Sequence, residues 1–193
     1  GLRFDSIYLD AEIWEEINHD WEKLGFESEK LLAEKTGKQV EEATDIEVFD
    51  LPKTGKERET VVKVRVNQSF FRKAVLAAYD FKCCITGLGI PELLNASHIV
   101  PWSKDEINRV NPRNGLCLNA IHDRAFDRDF LTIMPEYEIK ISKSIKRLIK
   151  HNDVDSAVQD FLLRYDGSEI KLPTRFLPDA NFLKYHNKNV FRI

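Results

Sequence analysis

The sequence predicts an α+β fold, because short β-type segments occupy the middle of the chain and helical patterns flank them. Residues 96–100 and 116–118 are short, apolar and bounded by turn signals, which is typical of two paired strands. Asn119 follows as the expected N-cap of a helix that carries residues 121–126. A further alternating β pattern covers residues 130–141. Two strands and a helix in direct succession therefore form the predicted centre.

Helical segments are expected on both sides of this centre. Residues 10–35 repeat apolar side chains at intervals of three, four and seven, with Gly25 as an expected pause and Gly37 as the stop. Residues 153–165 and 178–191 have amphipathic or aromatic-rich helical patterns that we expect to pack back on the core.

The joining segments are predicted from charge and β-branching. Residues 39–60 are charged and contain a proline and a glycine, so we expect a linker. Residues 61–66 are rich in valine and predict an extended segment. Asn67 is then the expected N-cap of a helix over residues 69–79.

The composition excludes a membrane protein and a secreted disulfide framework. No apolar run among the 193 residues approaches the roughly 18 needed to cross a bilayer. The first twenty residues are acidic and helical in pattern, which is not typical of a signal peptide, so a cytoplasmic location is expected. The sequence contains three cysteines, Cys83, Cys84 and Cys117. Their number is odd, and no two of them have the CxxC spacing. The chain begins at Gly1 without methionine, which we interpret as a fragment or processed product.

The charge is unevenly distributed and suggests two domains. Residues 1–60 contain 8 Lys and Arg against 17 Asp and Glu, whereas residues 61–193 contain 21 against 15. We therefore expect residues 1–60 to be an acidic helical segment with a linker, as the end of a truncated upstream region, and residues 61–193 to form a separate domain. The basic excess of the second part permits a face that binds a phosphate backbone, although an ordinary solvated surface fits the same charge.

One stretch combines residue types that suit phosphodiester hydrolysis. His98 titrates near neutral pH and can take a proton from water. Asn114 could align that imidazole by accepting or donating a hydrogen bond across the hairpin. His122 and Asp127 supply an imidazole and a carboxylate, which suit a divalent cation.

Residues 83–134 resemble the HNH endonuclease family. The motifs are Cys-x-x-Thr-Gly, Ala-x-His-Ile-x-Pro-Trp, Asn-Gly-Leu and His-x-x-x-Phe-Asp, and they are similar to a branch of restriction endonucleases. The resemblance implies a ββα-metal (His-Me finger) core at about 83–134, inside a nuclease domain of residues 61–193. It implies His98 as the general base, Asn114 as its orienting partner, and His122 with Asp127 as ligands of Mg²⁺, Mn²⁺ or Zn²⁺.

The sequence departs from that family pattern at two positions. Ser97 occupies the place where many members have a metal-binding Asp or His. Either Asp127 replaces that ligand, or the cation is held weakly and shared with the phosphate, and Asn119 and Asp123 are spare candidates. Thr86 stands where the second cysteine of a CxxC would be, so Cys83 and its neighbour are expected to be small buried side chains.

The expected partner is DNA, without a membrane, and a homodimer would suit double-strand cutting. The expected phosphate contacts are Arg65, Gln68, Arg72, Arg113, Arg124 and Arg128. The main alternative function is a catalytically inactive nucleic-acid-binding module that keeps the fold. A second alternative is a structural zinc protein that uses the three cysteines and a histidine, although their spacing matches no ordinary zinc site.

Overall fold

The computed structural model describes residues 20–37, 56–148 and 156–191. The helices are α1 (Trp21–Thr36), α2 (Lys56–Ala78), α3 (Ala120–Asp127), α4 (Lys143–Leu148), α5 (Ser156–Phe161) and α6 (Ala180–Asn189), and the strands are β1 (Leu94–His98), β2 (Gly115–Asn119), β3 (Leu131–Ile133) and β4 (Ile139–Ile141). Helices and two small antiparallel sheets confirm the α+β class. None of the described helices is long and apolar enough to cross a membrane.

The chain divides into two compact units, Gly1–Lys73 and Ala74–Ile193. The predicted linker at residues 39–60 lies outside the described residues up to residue 55, and its last five residues begin α2. The domain boundary after residue 60 stays a prediction.

In the first unit, α1 has clear signals at both ends. The Asp20 side chain accepts a hydrogen bond from the Lys23 N–H at 2.9 Å, and Gly37 ends the helix with a φ of 67°. Gly25 does not interrupt the helix, which differs from the expected pause. A Cβ at Gly25 would lie 3.0 Å from the Phe70 ring, so glycine permits close packing of α1 against α2. The expected part of this helix before residue 20 lies outside the described residues.

The extended segment expected at residues 61–66 is wrong, because these residues belong to α2. Val66 is fully buried, and Val61 and Val62 pack against it. Val62 and Val66 are four residues apart and share one helical face, so burial of this face outweighs the β propensity of valine. Asn67 is buried inside the helix and is not its N-cap.

In the second unit, β1 pairs antiparallel with β2, in a register that places Leu94 opposite Asn119 and His98 opposite Gly115. The strands overlap those expected at 96–100 and 116–118. Asn119 caps α3 as predicted, since its side chain accepts from the N–H groups of two residues in the first turn. Because α3 begins directly after β2, its side chains lie close to the strand pair.

A buried cluster holds the inner face of α3. The Phe126 ring stacks on the His186 ring of α6 with centroids 3.7 Å apart. The Thr132 hydroxyl of β3 lies 2.8 Å from His186 Nδ1 and accepts a hydrogen bond from the Asn187 amide at 2.8 Å. The β pattern at 130–141 is confirmed as β3 and β4, and the helix expected at 178–191 is confirmed as α6. In the region expected as a helix at 153–165, the described part contains α5 and a 3₁₀ turn at Leu163–Tyr165.

Candidate active site

The loop from residue 99 to residue 114 is folded around the Asn114 side chain, which is fully buried. Its Oδ1 atom accepts from the Val100 N–H at 2.8 Å, and its Nδ2 group donates to the carbonyls of Val100 and Asn108, each at 3.2 Å. Asp105 further fixes the loop, because its carboxylate accepts from the main chain and the side-chain amide of Asn108. Asn114 therefore binds main-chain atoms of the loop. Its effect on the His98 ring is indirect, in contrast to the direct hydrogen bond that the sequence suggested.

His98 ends β1 and is half-buried beside this loop. Its Nε2 atom lies 2.7 Å from the Arg109 carbonyl oxygen. A carbonyl can only accept, so Nε2 must bear the hydrogen, and Nδ1 is the basic nitrogen of the neutral ring. Trp102 contacts the ring edge-on with centroids 5.5 Å apart. Burial lowers the pKa of His98 below its usual 6.5, and the Arg109 carbonyl partly opposes this shift. The ring is therefore neutral, and competent as a base, at neutral pH.

His122 lies in a different environment, although it belongs to the same motif. The side chain is fully buried, and its Nε2 atom lies 2.6 Å from the Phe161 carbonyl oxygen. The ring also contacts the Tyr165 ring edge-on at 5.4 Å. Five residues separate His122 from Asp127, which places them roughly 140° apart around the helix. The structure does not bring them together as the pair of ligands that we expected, and the metal role of His122 stays a prediction.

The buried His122 ring also affects the pKa of a neighbouring cysteine, Cys83. Burial alone would raise the pKa of the Cys83 thiol, but interactions with the His122 ring and the Thr86 hydroxyl lower the pKa to about 6. The His122 Nδ1 atom makes no hydrogen bond of normal geometry to a described residue. The Cys83 thiol therefore lies close to the His122 ring within the buried core.

Asp123 is the α3 residue whose side chain is hydrogen-bonded to β1. Its carboxylate accepts a short hydrogen bond from the Ser97 hydroxyl and one from the Asn95 amide at 2.7 Å. Asn95 and Ser97 are two residues apart and so share one face of β1. This contact places Asp123 beside the residue that precedes His98. Two sequence signals could have identified it: the polar pair on one strand face, and the acidic pair Asp123 and Asp127 at helical spacing.

Asp127 ends α3 one turn after Asp123. Asp127 is exposed, although neighbouring residues partly shield its carboxyl from water. This shielding and the negative charge of Asp123 raise the pKa of Asp127, while Arg124 and Arg128 act in the opposite direction. The two carboxylates therefore repel each other, and a divalent cation between them would relieve this repulsion.

The expected phosphate-contacting residues are distributed over both units. Arg124 and Arg128 are exposed on α3 or directly after it, near Asp127. Arg113 lies 3.1 Å from the Asp179 carboxylate, which caps α6. Arg65 is half-buried on α2 in the first unit; Gln68 and Arg72 are exposed on the same helix. Their roles in binding stay predictions.

The three cysteines are free and buried. Within residues 20–37, 56–148 and 156–191, no group of three or more His, Cys, Asp and Glu side chains is arranged to hold a metal ion. The structural zinc alternative therefore has no support in this part of the chain. Cys84 and Cys117 are packed as small buried side chains, whereas the lowered pKa of the buried Cys83 makes its thiol more acidic than usual.

Comparison with known families agrees with the position of this site. Residues 83–134 match the HNH endonuclease family model. The matched range contains β1, the loop, β2 and α3, together with His98 and the two carboxylates of α3. The match supports the resemblance found in the sequence and indicates nuclease activity. None of the curated proteins matches the chain.

Proposed function

We propose that the chain is a metal-dependent endonuclease with a ββα-metal core that hydrolyses DNA phosphodiester bonds, in a restriction or defence role. The observation that carries this proposal is the hydrogen bond between Ser97 and Asp123. It holds the acidic face of α3 against the strand that ends in His98. A base and a pair of carboxylates are thereby supplied by adjacent elements, as phosphodiester hydrolysis requires.

The proton-accepting role is assigned to His98. The Arg109 carbonyl fixes the ring with Nδ1 as the basic atom, and the lowered pKa keeps that atom unprotonated at neutral pH. Asn114 acts as a positioning residue, because it fixes the main chain of the loop that supplies the Arg109 carbonyl. His98 Nδ1 is thus held ready to accept a proton from an attacking water.

Asp123 and Asp127 are the residues proposed to hold the metal. Both are oxygen donors, which favours Mg²⁺ or Mn²⁺ over Zn²⁺. Partial burial is the main cause of the raised pKa of Asp127, and the negative charge of Asp123 adds to it. A cation would neutralise that second contribution, which fits this assignment. A bound divalent cation would supply Lewis-acid stabilisation of the phosphate charge. Arg124 and Arg128 would attract the DNA backbone to the same end of the helix.

The metal assignment is tested with Asp123→Asn and Asp127→Asn. We expect each variant to bind Mn²⁺ at least about tenfold more weakly in a titration without DNA, and to lose metal-supported plasmid nicking. Asp160→Asn is the matched control, because Asp160 is an exposed aspartate on α5. Equal Mn²⁺ binding by all three variants would contradict the ligand assignment.

The inactive binding module remains a second candidate because the described residues offer only two neighbouring acidic side chains at this position. Plasmid nicking by the wild-type protein with Mg²⁺ or Mn²⁺, abolished by EDTA, distinguishes the enzyme from this module. DNA binding without nicking under every metal condition would favour the module. Size-exclusion chromatography with and without DNA tests the homodimer expected from the sequence, in which two sites would cut two strands.

A further inference from the structure

A charged cavity lies on the β3–β4 side of the unit Ala74–Ile193. It has a volume of about 310 Å³ and is formed where β4 leads into α4. We name it the lysine cleft. Its polar lining contains three lysines and two serines, namely Lys140, Lys143, Lys146, Ser142 and Ser144.

The lysine cleft has an excess of positive charge. Lys146 is paired, since its Nζ atom lies 2.5 Å from the Asp166 carboxylate. Lys140 and Lys143 make no ion pair with a residue that the structure describes. Asp129 is the acidic residue among the lining side chains and can offset one of these charges. The cleft therefore keeps an ammonium group available for an anion.

The serines add a hydrogen-bond donor. The hydroxyls of Ser142 and Ser144 are 2.7 Å apart and share one hydrogen bond. One hydroxyl hydrogen satisfies that bond, so the other can point at a ligand. Ser142 Oγ also accepts from the Ile145 N–H at 3.4 Å, which fixes its position. Ammonium groups with a hydroxyl donor are suited to the oxygen atoms of a phosphate.

We propose that the lysine cleft binds a backbone phosphate of the DNA that is cut at His98, a few nucleotides from the scissile bond. This inference rests on the proposed nuclease function. Asp129 lines the cleft and follows Asp127 by two residues, so their Cα atoms are at most about 7 Å apart. Duplex DNA offers one phosphate per roughly 3.4 Å of rise on each strand, so one duplex can occupy both sites.

The test compares two double variants in the full chain. Lys140→Gln with Lys143→Gln removes two charges from the cleft but keeps the aliphatic stems. Lys184→Gln with Lys188→Gln removes two charges from exposed positions of α6 and is the matched control. Both are made together with His98→Ala, so that DNA stays uncut during binding measurements.

We expect the cleft variant to bind a short duplex at least about tenfold more weakly than the control variant, because it loses charged contacts to phosphate. The slope of log affinity against log salt should fall by about 1 for each phosphate contact removed. Equal affinity and equal slope for the two variants would overturn the inference. So would loss of inorganic phosphate binding with unchanged DNA binding, which would define a free-anion site.

A second measurement separates this inference from the proposed function. With His98 intact, the cleft variant should cleave plasmid with a raised KM, yet hydrolyse a small p-nitrophenyl phosphodiester of thymidine at the wild-type rate. If the wild-type protein hydrolyses neither substrate with any divalent metal, the nuclease proposal fails. The duplex-binding comparison would then still test, independently of cleavage, whether the lysine cleft contacts DNA.

Discussion

The regions around His98 and His122 differ in a way that the motif does not reveal. Each imidazole lies within hydrogen-bond distance of a main-chain carbonyl through Nε2. Each also contacts an aromatic ring edge-on. His98 is half-buried at the end of a strand, whereas His122 is fully buried in the core. Similar hydrogen bonding therefore holds a half-buried ring, which we propose as the base, and a fully buried ring, for which we propose a packing role.

The partners of the two rings explain the difference. The Arg109 carbonyl belongs to a loop that starts at the residue after His98, so the loop and the ring are fixed together. The Phe161 carbonyl is 39 residues away in sequence from His122, so that hydrogen bond joins two distant segments. Removing the first ring should affect chemistry, and removing the second should affect folding.

The largest expected effect is on cleavage by His98→Ala. Loss of a general base lowers the rate by about 10²–10⁴-fold. The unfolding midpoint should stay close to that of the wild type, because the half-buried ring contributes little to the core. Plasmid nicking and thermal unfolding are measured on the same preparation. Undiminished nicking would contradict the assignment of His98 as the base.

His122→Ala should instead destabilise the fold, by about 2–5 kcal/mol, because it opens a cavity and leaves the Phe161 carbonyl without its partner. Urea unfolding measures this change. Ile121→Ala on the same helix is the control, since Ile121 is 49% exposed and should change the free energy of unfolding by less than about 0.5 kcal/mol. A His122→Ala protein of normal stability that no longer binds Mn²⁺ would instead show that His122 is a metal ligand.

The parts of the fold that could be predicted depend on local signals. Asn119 was recognised as a cap because an N-cap interacts with the residues directly after it. The β3–β4 pair was recognised from alternation over a few residues. The helical state of residues 61–66 was missed because burial of Val66 depends on packing that a local β propensity does not report.

The site was predictable in its members more than in their arrangement. His98 and Asn114 were identified from the motif. The hydrogen bonds by which Asn114 fixes the loop beside His98 depend on the main-chain positions of Val100 and Asn108, which the motif does not give. The burial of His122 depends on a distant segment. Asp123 was only a spare candidate, because its contact with Ser97 requires the strand and the helix to be packed together.

The smallest expected effect concerns a third histidine, His186, which is buried like His122. Burial lowers its pKa from 6.5 to about 4, partly opposed by the Phe126 carbonyl. The unfolded chain therefore binds a proton more readily than the folded one between these values. Stability from the neutral ring is fully present above pH 6.5 and is lost as the pH falls toward 4. We expect this ring to lower the free energy of unfolding by about 2 kcal/mol between neutral pH and pH 5.

His186→Phe provides the matched measurement, because phenylalanine can stack on Phe126 but cannot titrate. Loss of the hydrogen bond to Thr132 lowers the stability of this variant at all pH values. Its free energy of unfolding should nevertheless fall less steeply than that of the wild type between pH 6.5 and 5, and groups common to both proteins cancel in the difference. Parallel pH profiles would mean that the His186 ring takes up a proton in the folded protein as readily as in the unfolded chain. Burial alone would then not distinguish the packing histidines from His98.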